Sequence, residues 1–283
     1  MLNLGGKMIK IGEYNKLEVV KERDFGFFLA DEKKNEILLP KALLDGNEIE
    51  VGDEVNVFTY MDSQGRAVAT MKKPLIEVGK VAYLEVVHQN DFGAFCDMGL
   101  ERDLFVPMRE QRFKLLVGKK YLFYAYLDKS GRLAATTEVD DYLDQGEGYE
   151  VDDIVKVISY GKGTSTTIKV AIDGKYRGII LGNEHIETIY PGEELDARVK
   201  RIYEDGTVGL TTRKKRLDAR DEIKESILKY LKSNGGMMAY NDKSNPEEIR
   251  EIFGTSKNYF KMALGGLMKE GLIEQNEEGT KLK

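Results

Sequence analysis

Asp24-Phe25-Gly26-Phe27-Phe28 returns sixty-seven residues later as Asp91-Phe92-Gly93-Ala94-Phe95. Other blocks return with it, in fixed order. Leu17-Glu18-Val19-Val20 comes back as Leu84-Glu85-Val86-Val87, and Asp62-Ser63-Gln64-Gly65-Arg66 as Asp128-Lys129-Ser130-Gly131-Arg132. Ala69-Thr70 is answered by Ala135-Thr136. The offset is 67 at the front and 66 at the back, so one residue is lost in an intervening loop. Ordered matches over about sixty residues mark a duplicated unit. A third, divergent copy runs from Glu150 to Arg216: Pro191-Gly192-Glu193-Glu194-Leu195 answers Val51-Gly52-Asp53-Glu54-Val55, and Glu204-Asp205-Gly206-Thr207 fills the later turn. Its front half, Tyr160-Gly161-Lys162-Gly163, has lost the Asp-Phe-Gly run.

Each unit reads as β-structure. Val19, Val20, Phe27, Leu29, Ile37, Leu39, Val55, Val57, Val68 and Thr70 lie in short branched or aromatic runs separated by Gly- and Asp-containing turns. Five such runs with a longer connection after the third suit a small closed barrel of the oligonucleotide/oligosaccharide-binding (OB) type. From Leu217 the texture changes: Ile223, Ile227, Leu228 and Leu231 recur at helical spacing up to Asn234-Gly235-Gly236. Ser244 or Asn245 caps a helix that has Pro246 at its start, and Thr255 or Ser256 caps another carrying Tyr259, Phe260, Ala263, Leu264 and Leu267. Two short strands around a Glu-Glu-Gly turn follow, which is the winged-helix order. The expected fold is mainly β with a C-terminal α+β domain. Its parts are barrels at 1–74, 75–139 and 150–216, an acidic linker at 140–149, and a winged helix at 217–283.

In an OB barrel the second and third strands present a concave face, where exposed aromatics stack on bases and nearby cations meet phosphate. Phe25 with Phe28, and Phe92 with Phe95, have that placement. Residues three apart point to opposite faces of a straight strand, so strict alternation makes one of each pair core. A bend at Gly26 and Gly93 brings both members outward instead. The residue types leave both arrangements open.

Asp91-Phe92-Gly93-Ala94-Phe95, then Leu104-Phe105-Val106 and Asp128-Lys129-Ser130-Gly131-Arg132, resemble the RNA-binding domain named after ribosomal protein S-one. The resemblance implies RNA contact by Phe92, Phe95, Asp128 and Arg132 in the second copy and by Phe25, Phe28, Asp62 and Arg66 in the first. The family also uses a histidine after the third strand; that position falls on Leu39 and Val106, so part of the surface is apolar. The third copy has Thr207 in place of the arginine and lacks the Phe pair, which implies weak or altered binding there. Three such barrels and a winged helix, whose Ser256 to Gly265 helix is especially similar, resemble over nearly the whole length the conserved virulence factor B family of bacterial RNA-binding regulators. That resemblance implies binding of single-stranded RNA and control of gene expression, including virulence factors, with no cofactor and no catalysis.

The winged helix supports two readings. Lys257, Lys261 and Lys269 lie on its last helix with no acid between them, a pattern that fits a phosphate backbone or an ordinary solvated face. Asn258 alone among its neighbours could read a base edge, so a backbone clamp or protein contact fits better than sequence-specific DNA recognition. A DNA-binding transcription regulator is nonetheless the alternative function. His88 lies near the binding side of its barrel and is a candidate RNA contact, with a plain surface histidine as the other reading; Cys96, in an apolar strand, reads as a buried hydrophobe. Asp-Phe-Gly occurs without the glycine-rich loop, strand lysine and His-Arg-Asp loop of a kinase. Clustered carboxylates for a nuclease are not evident beyond Asp62 and Asp128. One cysteine and two histidines leave no disulfide and no zinc cluster, in keeping with a reducing cytoplasm. Met1 to Lys10 has no signal-peptide pattern, no apolar run reaches the length of a membrane span, and without heptads a monomer is expected.

Charge first argues against nucleic acid: 43 basic residues face 49 acidic ones, a net −6. Seven of those acids lie between Asp140 and Asp153 with no base among them, and without them the remainder carries +1. Arg198, Lys200, Arg201, Arg213, Lys214, Lys215 and Arg216 face only Glu204 and Asp205, a local +5. On this count the third barrel supplies cations, with Arg198, Lys200 and Arg201 as RNA contacts, where it lacks aromatics.

Overall fold

Val19, Leu29, Leu39 and Val57 are fully buried, each from a different strand whose neighbours in sequence point the other way. Those strands are β1 (Tyr14–Arg23), β2 (Gly26–Ala30), β3 (Glu36–Pro40) and β4 (Glu54–Met61), joined by β5 (Ala67–Thr70). They close in the order β1-β2-β3-β5-β4, with β4 returning to β1 and β3 running parallel to β5. The same order is built twice more in a computed structural model that describes residues 9–185, 187–213 and 216–283. The second barrel uses β6 (Val81–Asn90), β7 (Gly93–Cys96), β8 (Leu104–Pro107), β9 (Lys120–Leu127) and β10 (Leu133–Thr136). The third uses β11 (Ile154–Lys162), β12 (Ile168–Ile172), β13 (Tyr176–Ile180), β14 (Glu194–Ile202) and β15 (Val208–Thr211). In all three, the first strand carries a one-residue bulge, at Val20, Val87 and Tyr160. A bulge bends and twists the strand, which lets one long strand serve both sides of a small barrel.

The barrels belong to one unit ending at Thr212, and Arg213–Lys283 forms a second. Within the first unit the barrels share apolar cores. Phe58, Tyr60 and Val68 of the first barrel join Ile76, Leu84 and Phe123 in a single cluster. Full burial of a side chain such as Phe58 contributes roughly 1.5–3 kcal/mol. The junction after β5 is pinned by a Leu75 amide donating to the Met98 carbonyl (2.8 Å) and by Lys72 paired with Glu101 (2.5 Å). Leu122, Val139, Leu143, Ile158, Tyr160 and Ala171 form the corresponding cluster between the second and third barrels.

That last cluster changes the meaning of the acidic segment 140–149. Its charge marks it as a solvated linker, yet its first part packs. Leu143 is buried, Tyr142 stacks on Tyr124 at 3.4 Å, and Asp144 bridges to Tyr176.

The second unit is α1 (Arg216–Ser233), β16 (Met237–Met238), α2 (Pro246–Phe253), α3 (Lys257–Lys269), β17 (Ile273–Asn276) and β18 (Gly279–Leu282). Asn245 caps α2 through the Glu247 amide (2.8 Å), and Ser256 caps α3 through the Tyr259 amide (3.4 Å). Ile227, Leu231, Ile249, Phe260, Ala263 and Leu264 are fully buried among these elements. The sheet order β16-β18-β17 completes a winged helix. Among the described residues no helix is long and apolar enough to cross a membrane. Lys214 and Lys215 of the basic run lie outside the described residues.

Candidate nucleic-acid interface

The Phe-Gly step works because the third strand passes very close to the second. A Cβ on Gly93 would lie 2.3 Å from the Val106 carbonyl oxygen and 2.8 Å from the Phe105 ring; on Gly26 it would lie 2.5 Å from the Leu39 carbonyl oxygen. Only glycine fits there. The preceding phenylalanine falls in the turn rather than the strand, so alternation no longer governs it, and Phe25 and Phe92 stand 59% and 78% exposed. Their backbones stay fastened: the Phe92 carbonyl accepts from the Met108 amide (2.9 Å) and that of Phe25 from the Lys41 amide (3.2 Å). Phe28 and Phe95 are half-buried on the outer side of β2 and β7, while Phe27 and Ala94 point into the cores. Both members of each pair therefore face out.

Around Phe95 the second barrel assembles an aromatic surface. The exposed His88 ring lies 5.6 Å from it on one side and Phe105 lies 5.1 Å from it on the other, one residue from each flanking strand. In the first barrel Phe25 and Phe28 meet edge to face at 6.2 Å. The Lys21 ammonium sits 5.4 Å from the centre of the Phe28 ring, a cation–π contact. Lys21 also pairs with Glu36 at 3.5 Å. Leu38 is opposite Phe28, as Phe105 is opposite Phe95. The third-strand surface is thus apolar, but not through Leu39 and Val106. Both are fully buried, because strand alternation turns them inward and puts Leu38 and Phe105 outside. Lys21 and Leu38 belong to no motif, and Phe105, inside the Leu104-Phe105-Val106 run, has no contact assigned by the resemblance. The 67-residue offset that aligns Lys21 with His88 and Leu38 with Phe105 is the signal that locates them.

Register places the two turns at opposite ends of this face. Gly26 lies beside Pro40 at the end of β3, whereas β5, just after the Arg66 turn, runs parallel to β3. Asp62 and Asp128 organise those later turns. Asp62 accepts from the Gln64 and Arg66 amides (2.8 and 2.9 Å); Asp128 accepts from the Ser130 and Arg132 amides (2.8 and 3.0 Å). The Arg66 amide bond, together with its guanidinium, holds the Asp62 carboxyl below the usual carboxylate range. Burial pushes the Asp128 carboxyl up, but bonds from Ser130 and Arg132 outweigh it and leave it low. The arginines differ. Arg66 forks onto Asp62 through Nε and Nη2 (2.9 and 2.7 Å), while exposed Arg132 has no carboxylate within ion-pair distance among the described residues.

The third barrel presents nothing comparable. Lys169 stands where Phe28 and Phe95 stand, and Gly161 where Lys21 and His88 do. Lys169 is held by Asp140 (2.8 Å), whose other oxygen accepts from the Tyr160 hydroxyl (2.5 Å); Arg177 donates to the Asp140 carbonyl (2.6 Å). Burial raises the Asp140 carboxyl, yet Lys169, Tyr160 and Arg177 outweigh it and the net shift is downward. Burial first, and its bond to Asp140 second, drive the Tyr160 hydroxyl upward. Part of the basic stretch is engaged as well: Arg198 pairs with Asp152 at 2.9 Å and Lys200 with the buried Glu184, while Arg201 stacks over Tyr203 at 4.7 Å. Arg198 and Lys200 are therefore offset by acids distant in sequence.

On α3, half-buried Lys257 donates to the Lys243 carbonyl (3.2 Å) and exposed Lys261 lies 3.9 Å from Asp242. Cys96 is fully buried, and burial pushes its thiol up to about 12, out of the range of a reactive thiolate at neutral pH.

Residues 11–72 and 78–138 match the model of the S1 domain, and residues 225–282 match that of the CvfB-like winged helix domain. The protein YitL of Bacillus subtilis (strain 168) is 32% identical over 282 residues, covering 95% of this chain and 92% of the relative. The conserved virulence factor B of Staphylococcus epidermidis is 26% identical, covering 93% and 91%. Among solved structures, a multidomain protein with nucleic acid binding domains from Streptococcus pneumoniae TIGR4 superposes with a TM-score of 0.53 at 26% identity, covering 96% of this chain and 98% of that one.

Proposed function

This chain belongs to the conserved virulence factor B family, and from that premise we propose that it is a non-enzymatic protein that binds single-stranded RNA through its first two barrels and regulates bacterial gene expression after transcription. The observation that carries the reading is the repeated outward surface: Phe25, Phe28, Lys21 and Leu38 in one barrel, Phe92, Phe95, His88 and Phe105 in the next. Exposed rings accept any base by stacking, and the adjacent turns supply Arg66 and Arg132 for phosphate. Asp62 and Asp128 act by shaping those turns, since Oδ1 of each accepts from two backbone amides.

The test compares wild type with the Phe25→Ala/Phe92→Ala/Arg132→Ala variant on an oligoribonucleotide. Wild-type affinity should fall with salt, as counterions are released. The variant should lose about 2–6 kcal/mol of binding from its two missing stacking surfaces. Equal binding by the two proteins removes the proposed face. The competing reading, duplex DNA bound by α3, predicts that Lys257→Ala/Lys261→Ala abolishes nucleic-acid binding while the triple variant leaves it intact.

A further inference from the structure

The surface of the second barrel continues past Phe92. Gln89, Asn90, Gly93 and Met108 line a cleft of about 300 Å³ whose far wall is Phe113 and Lys114. Those same two residues open a larger groove, of about 750 Å³, between the second barrel and the Tyr190-Pro191-Gly192-Glu193 turn of the third. The groove is built by a specific docking. The Tyr83 hydroxyl donates to the Gly192 carbonyl (2.6 Å), and a Cβ on Gly192, at φ +86, would lie 2.4 Å from the Lys120 carbonyl oxygen. The turn is pressed onto β9 and leaves Tyr190 62% exposed at the rim.

Three exposed lysines, Lys114, Lys119 and Lys120, border this space, and among the described residues none has a carboxylate within ion-pair distance. Two acids face them. Glu193 accepts from the Tyr190 amide (3.1 Å), and Glu85 lies opposite Lys120 in the β6–β9 pairing. Some lysines of this unit are paired, as at Lys16–Glu54 and Lys72–Glu101, whereas these three share one groove. Unpaired cations beside exposed aromatic and aliphatic surface, continuous with a stacking face, match the alternating charge and π-surface of a single strand.

We propose that this groove is a further RNA subsite, which receives the strand as it leaves the Phe92–Phe95 face, guides it past Phe113 and Lys114, and stacks a base on Tyr190. The inference rests on the RNA-binding reading above. Lys114, Lys119 and Lys120 hold phosphates here, so the third barrel contributes through its docked turn rather than through its own strand face.

The experiment uses the full chain and oligouridylates of about 5 and about 16 nucleotides, bracketing the occupancy of one barrel. Lys114→Ala/Lys119→Ala/Lys120→Ala should weaken the long probe about tenfold and flatten its log–log salt slope by about 2, while the short probe changes less than about twofold. Tyr190→Ala should weaken the long probe about tenfold, and Tyr190→Phe, which keeps the ring, should restore it. An unchanged long-probe affinity, or equal loss on both lengths, overturns the groove alone. If the Phe25→Ala/Phe92→Ala/Arg132→Ala variant binds both probes like wild type, the RNA reading fails and the groove falls with it.

Discussion

The second and third barrels have the same strand order and the same first-strand bulge, yet opposite outer faces. One sets Phe95 between His88 and Phe105 and leaves it open; the other sets Lys169 at the matching position and ties it to Asp140. Even the bulge residue diverges, with Val87 40% exposed and Tyr160 buried against the neighbouring barrel. Period-two alternation explains how one fold supports both. Inward positions such as Val86, Cys96 and Val106, or Ser159 and Val170, determine whether the barrel closes. Outward positions change without disturbing them. The third barrel uses its outer face to hold Asp140 of the segment that joins it to the second barrel, and the second leaves that face open.

The sharpest way to break this comparison is to empty each face in turn. Phe92→Ala/Phe95→Ala should weaken oligoribonucleotide binding by about 2–6 kcal/mol, at least ~30-fold. Lys169→Ala/Arg177→Ala should change it less than about twofold but lower the thermal midpoint, because Asp140 would lose both cationic partners. Fluorescence anisotropy and a melting curve on each variant decide it. Equal losses of affinity would mean the two faces do the same work.

A smaller effect sharpens the structural side. Asp140 titrates lower in the folded chain than its ordinary value, so folding favours its ionised form. Its contribution is full at neutral pH, above the unfolded carboxylate range, and is lost as the pH falls through the depressed folded value. Asp140→Asn keeps the side-chain shape but removes that titration. The wild-type midpoint should therefore exceed the variant's near neutrality, by about 1 kcal/mol of stability for this partly exposed group, and converge with it in acid. Asp62 and Asp128 titrate in both proteins and cancel. A constant gap across the acid range would show that the Asp140 charge does not hold the segment.

These two faces also mark how far the sequence is legible. Repeated blocks, turn residues and helix caps act locally, so three barrels and a winged helix follow from them, as does the outward pairing at Phe25/Phe28 once a glycine bend is allowed. The partners of charged groups are not local. Arg198, Lys200 and Lys169 are answered by Asp152, Glu184 and Asp140, which lie 46, 16 and 29 positions away, and counting charge along the chain cannot see this. Motif position puts Leu39 and Val106 on the surface, whereas alternation from buried Ile37 and Leu104 puts them inside. Lys114, Lys119 and Tyr190 carried no motif at all, since the groove they border exists only where two barrels meet.

The finest comparison lies between the first two barrels, whose later turns share their amide bonds to aspartate but differ at the arginine. Arg66 is held in a fork by Asp62, whereas Arg132 is exposed without such a partner among the described residues. For Arg66 to meet a phosphate it must share or leave its carboxylate. A pair whose arginine is open to solvent is weak, enough to cut its share of phosphate contact but not to abolish it. Arg132→Ala should therefore flatten the log–log salt slope of RNA binding by about 0.7, the value for one phosphate on a single strand, and Arg66→Ala by clearly less. Asp62→Asn tests the cause, because it weakens the fork while an amide oxygen can still accept from the turn amides. In that background Arg66→Ala should flatten the slope by nearly as much as Arg132→Ala. If Arg66 contributes the full slope already in the wild-type protein, the fork does not compete with phosphate, and the two turns are equivalent in function despite their different geometry.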